Sequence, residues 1–146
     1  MRHQHLGLAG VAPALALLAA CASGIPLRES QQEERDRYNA YSGEPIDQFT
    51  WLGRYDGWEA IGRYELVVFT GVNDAYLLKV MPPCENLQFA NRIGISSTTG
   101  TVYSRLDSVI AGDWRCPIDE IRKVDYRRMK ADLRLEAQSR KAKAAR

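Results

Sequence analysis

The stretch YELVVFTGVNDAYLLKVMPP, Tyr64 to Pro83, limits the fold more than any other part of this chain. Two runs rich in β-formers, one of them carrying Leu66, Val67, Val68 and Phe69 in succession, flank Gly71-Val72-Asn73-Asp74. A short connection of turn-forming residues between two such runs predicts an antiparallel hairpin. Pro82-Pro83 ends the second run, because proline offers no N–H to a ladder.

The same pattern recurs on both sides. IDQFTWLG (Ile46–Gly53) and the glycine-bounded GWEAIG (Gly57–Gly62) read as strands before the hairpin. After it, RIGISS and TVYSRL flank Thr99-Gly100 as a second hairpin, and DSVIAGDWRCPI turns at Gly112-Asp113 as a third. Seven or eight short strands with turn signals between them predict a mainly β domain over residues 43–125. Its expected form is a small antiparallel meander barrel or barrel-like sheet, with a β-sandwich as the alternative.

The two ends of the chain differ from this body. Residues 6–20 are apolar but contain Gly7, Gly10 and Pro13, and they fall short of the about 20 residues a membrane-spanning helix needs. A short start carrying Arg2, an apolar stretch and small residues at its end describe a secretory signal. The end of that stretch, Leu18-Ala19-Ala20-Cys21, resembles the lipobox of bacterial lipoproteins. That resemblance implies cleavage before Cys21, a diacylglycerol on its thiol and an acyl group on its new amino terminus. Ala22 follows where an aspartate would imply inner-membrane retention, so the resemblance implies the periplasmic face of the outer membrane. Residues 21–42 then form a tether and a polar helix, Gln31 to Tyr41, with Ser30 and Glu33 spaced as a capping box. The helix has few apolar positions and reads as a solvated spacer.

Cleavage would leave 126 residues with no histidine, since His3 and His5 lie in the signal. This removes histidine acid–base catalysis, the Ser-His-Asp triad and His-ligated zinc from the mature chain. Two cysteines remain beside Cys21. In an oxidising compartment Cys84 and Cys116 read as a disulfide, whereas two thiolates alone would need carboxylates to complete a metal site. No cofactor and no metal are expected.

From Val124 the composition shifts to good helix formers with Asp125 as N-cap, and residues 126–146 read as a basic helical tail. From Arg122 onward ten basic residues face Asp125, Asp132 and Glu136, a surplus of +7. Tyr126, Met129 and Leu133 form a stripe that is narrow for a core helix, so the tail is expected to be dispensable for folding. In an exported protein such a tail fits anionic envelope surfaces, lipid phosphates among them, and not nucleic acid.

The body also resembles a family of small bacterial cell-envelope lipoproteins of unknown function. The matching residues are Gly53-Arg54-Tyr55, Trp58-Glu59, Leu66-Val67-Val68, Ala75-Tyr76-Leu77-Leu78, Pro83-Cys84, Leu87, Phe89-Ala90, Ile93-Gly94, Arg115-Cys116, Ile118, Glu120-Ile121 and Asp125. The resemblance spans roughly residues 43–125 and leaves out the basic tail. It implies the envelope location and the paired cysteines, and no active site.

RYDGWE, Arg54 to Glu59, is the grouping that most suggests a ligand, while Asn73 to Tyr76 reads most simply as a hairpin turn. Tyr55 or Trp58 could stack on a sugar ring while Asp56 or Glu59 accepts its hydroxyls; the simpler reading is a turn at Asp56-Gly57 with Trp58 entering the core. The expected function is a binding or structural role in the envelope, anchored through the N-terminal lipid, with no catalytic residue assigned. The alternative is a carboxylate enzyme acting on envelope glycans.

Overall fold

The structure, a computed structural model, describes residues 26–50 and 55–145. The signal, Cys21 and the segment 51–54 lie outside these residues. The chain is mainly β: a curled antiparallel half-barrel sheet carries a helix at each end of the sequence. Helix α1 spans Pro26–Ala40, and the strands are β1 (Ser42–Ile46), β2 (Gln48–Thr50), β3 (Gly57–Ala60), β4 (Glu65–Phe69), β5 (Ala75–Val80), β6 (Ile93–Ile95), β7 (Thr101–Tyr103), β8 (Ser108–Ala111) and β9 (Trp114–Val124). Helix α2, Tyr126–Ala144, closes the order.

The main sheet runs β3-β4-β5-β9-β8-β6, with β1 also on β9. Two expected hairpins form. β4 and β5 pair from Glu65↔Lys79 to Phe69↔Ala75, and β8 meets β9 through the two-residue turn Gly112-Asp113, with Ala111 opposite Trp114. Gly112 sits at φ +61 with open space around its Cα, so backbone conformation and not crowding selects glycine there. The last strand then departs from a simple meander. β9 pairs with β8 through Trp114–Pro117 and with β5 from Ile118 to Val124, while Ile121, Arg122 and Val124 also pair with β1. Since Ile121 faces both Leu78 and Ile46, β1 and β5 occupy opposite edges of β9. Pro45 is tolerated at a register shift in β1, a short strand paired with β9.

The expected hairpin of RIGISS with TVYSRL is corrected. Thr99 and Gly100 do turn the chain at positive φ, and Thr98 and Thr101 exchange backbone hydrogen bonds of 2.9 and 3.0 Å. The strands then diverge, β6 to β8 and β7 to β2. Buried Asp107 holds this junction: Oδ1 accepts from Ser96 Oγ at 2.7 Å and Oδ2 from the Tyr103 amide at 2.8 Å.

Burial on both faces of β4 explains its unbroken apolar run. Leu66 and Val68 join the inner core with Phe49, Leu78, Val80, Leu87, Ile118 and Ile121. Val67 points the other way, into a second core with Ala75, Leu77, Val124, Tyr38 of α1 and Met129 of α2. Two expectations change here. The polar helix begins at Pro26, so Ser30 lies inside it and not at its cap, and it is docked through buried Tyr38. The basic tail is likewise docked, by Met129 with Tyr126 and Leu133, on the outer face of the sheet. Among the described residues no helix is long and apolar enough to cross a membrane.

Candidate binding surface

The four residues singled out in RYDGWE do not converge. Tyr55 packs against the inner core and its hydroxyl donates to the Ile93 carbonyl at 2.8 Å. That bond ties the start of β3 to β6, the two outermost strands of the half-barrel. Asp56 is exposed, and its amide donates to the Phe69 carbonyl at 2.8 Å. Trp58, opposite Val68, also joins the inner core, while Glu59, opposite Val67, faces the helices. Strand alternation sends the tryptophan and the glutamate to opposite faces, so they cannot grip one sugar ring.

Glu59 instead belongs to a small acidic cluster beneath α1. Its Oε2 accepts from the Tyr38 hydroxyl at 3.1 Å. Burial, then the Glu59 charge, pushes the Tyr38 phenol above its ordinary range, so it stays protonated. Burial also raises the Glu34 carboxyl, reinforced by a hydrogen bond to Glu59 and by its charge. Nearby, Arg35 forms an ion pair with Glu65 that fastens α1 to β4. These groups serve helix docking.

Cys84 and Cys116 form a disulfide with Cα atoms 5.6 Å apart. Both are fully buried in the inner core, linking the segment after Pro82-Pro83 to β9. Among the described residues no group of three His, Cys, Asp or Glu is placed to hold a metal.

One concave surface was not legible in the sequence. It is an open groove of ≈ 1310 Å³ between the end of α1, the β4–β5 turn, the end of β9 and the start of α2. Its elements are clamped together from three sides. Lys130 Nζ donates to the Val72 carbonyl at 2.7 Å and to Asn73 Oδ1 at 3.0 Å. Lys123 lies 3.6 Å from Asp74. Tyr41 donates its hydroxyl to Asp132 at 2.7 Å, and this bond is the main reason its phenol is raised. Asp125 caps α2 by accepting from the Arg128 amide at 3.1 Å. Arg127, Arg128 and Lys123 give the groove cationic walls beside the rings of Tyr41 and Tyr126. Such a surface can recognise a polar ligand by charge. Its residues come from three separate segments, so no local motif announces it.

Over residues 4–142 the chain matches the family described as "Family of unknown function (DUF6491)". No curated protein and no solved structure matches it.

Proposed function

Given that the chain belongs to DUF6491, a family of unknown function, we propose that it is a lipid-anchored protein of the bacterial cell envelope that works by binding. In this reading the signal directs export, the peptide is cut before Cys21, and acylation of Cys21 holds the protein on the periplasmic face of the outer membrane. Two or more acyl chains give a lasting anchor where a single chain binds only marginally. The observation that carries the reading is the buried Cys84–Cys116 bond, because a disulfide in the core suits an oxidising compartment. Leu18-Ala19-Ala20-Cys21 at the end of a signal-sized apolar stretch supports it independently.

The groove at the start of α2 is the binding face this reading favours, and the basic helix contacts anionic envelope surface. The glycan-hydrolase alternative draws no support from Asp56 and Glu59, one exposed in a turn and the other engaged by Tyr38. Labelled palmitate fed to cells making the wild type and Cys21→Ser tests the anchor. Label on the wild type alone, with the variant lost from the membrane fraction, is the expected result. Equal labelling, or equal membrane recovery at high salt, would refute it.

A further inference from the structure

The helices α1 and α2 run antiparallel across the outer face of the sheet. At one end Tyr41, just after α1, bonds Asp132 and lies under the Arg128 guanidinium, 5.9 Å from the ring centroid. One and two turns back along α1, Arg37 and Glu33 share a shallow cavity with Leu133, Glu136, Ala137 and Arg140. Positions falling along α1 therefore meet positions rising along α2, and the start of α1 points the same way as the end of α2. At 1.5 Å per residue, α1 continues about 16 Å from Arg37 to Pro26, and α2 continues about 12 Å from Glu136 to Ala144. The two helix ends reach a similar level.

The end of α2 is complementary to a phosphate surface, whereas the start of α1 sets Arg28 against Glu29 and adds no net charge. From Arg134 to Ala145 every residue of the tail is exposed. Glu33 and Glu136, the acids facing each other between the helices, are each paired with an arginine four residues on, Arg37 and Arg140, at 3.6 Å. Past Glu136 the sequence holds Arg140, Lys141, Lys143 and Arg146 and no acid. At the same end, Cys21 precedes Pro26 by five residues, a tether of at most about 17 Å.

We propose that the paired ends of α1 and α2 form a membrane foot, in which the acyl chains on Cys21 and the cations Arg140, Lys141 and Lys143 engage one anionic phospholipid surface together. This rests on the acylation of Cys21 proposed above and adds an orientation to it. A lipid tether alone leaves the domain free to tumble, whereas a cationic cluster within a Debye length of anchored headgroups holds it upright. The groove lies at the opposite ends of both helices, so the foot lifts it about 28 Å, the length of α2, away from the bilayer. Both effects follow from one antiparallel pairing.

The test uses the full acylated protein on vesicles of phosphatidylethanolamine and phosphatidylglycerol that carry a headgroup-linked quencher. A fluorophore is placed on Ala142→Cys, at the foot, or on Val72→Cys, at the groove rim; both positions are exposed and the native disulfide is buried. Strong quenching at 142 and little at 72 is expected. High salt, or the triple variant Arg140→Glu, Lys141→Glu, Lys143→Glu, should abolish quenching at 142 while the protein stays on the vesicles. Equal quenching at both positions, or none at 142 on vesicle-bound protein, would overturn the foot. Release of the whole protein by high salt would overturn the acyl anchor and the foot with it.

Discussion

Asp107 shows how much of this fold hangs on single polar side chains. Its carboxylate accepts from Ser96 and from the Tyr103 amide in a buried site, at the point where β7 leaves for β2 and β8 joins the main sheet. Asp107→Ala strands both donors and should lower unfolding free energy by about 1.5–3 kcal/mol, the range for hydrogen bonds to a charged group, measured by urea denaturation. Tyr55→Phe, which deletes the bond to Ile93, should cost about 1 kcal/mol. Cys84→Ala opens a cross-link over a separation of 32 residues and should cost about 3–4 kcal/mol on the chain-entropy account. Glu34 gives the pH dependence its sign. Burial, then Glu59, raises its carboxyl in the folded protein, so the protonated form stabilises folding below the ordinary glutamate range. That contribution disappears as pH rises through the raised value. Glu34→Gln should therefore raise the melting temperature at neutral pH, with the gain shrinking as the solution is acidified; a gain that grew on acidification would contradict the assignment.

Elements were legible where sequence neighbours are also spatial neighbours. The β4–β5 and β8–β9 hairpins follow from Gly71–Asp74 and Gly112-Asp113, turns whose residues dictate the pairing on either side. The strand β7 was legible but its pairing was not, because its partner, β2, lies some fifty residues away and no local signal marks so distant a pairing. The helices hid their docking differently. In α1 a single buried tyrosine, Tyr38, stands in a run of charges, and in α2 the stripe is confined to the first turns. The candidate site divides the same way: the cysteine pair was readable from the cysteine count and an expected oxidising compartment, while the groove is assembled only by packing. The docking of α2 makes a graded prediction. Met129→Ala should cost about 2–4 kcal/mol, as other large-to-small core changes do. Ending the chain at Asp125 should destabilise it markedly, whereas ending it at Leu135 should leave the thermal midpoint nearly unchanged, since every described residue after Leu133 is exposed. Equal midpoints for all three lengths would mean that the outer core does not need α2.

For the molecule as a whole, the half-barrel is closed by its own side chains, with Phe49 stacked on Tyr76 at 4.3 Å and the disulfide inside. Open concave surface is therefore left to the outside, where the helices meet the sheet. Charge is distributed to match: residues 21–121 carry −6 and the segment from Arg122 carries +7, so attraction to an anionic surface has a direction. In the proposed reading the anchor, the disulfide and the basic tail share one envelope setting, and the anchor is the part on which the rest of that reading depends. The most direct measurement is the intact mass, under reducing and non-reducing conditions, of the protein recovered from the membrane fraction. The account predicts a chain starting at Cys21, carrying a diacylglycerol and an amide-linked acyl group, and lighter by two hydrogens before reduction. A chain that still begins at Met1, or one that begins at Cys21 without lipid, would contradict it.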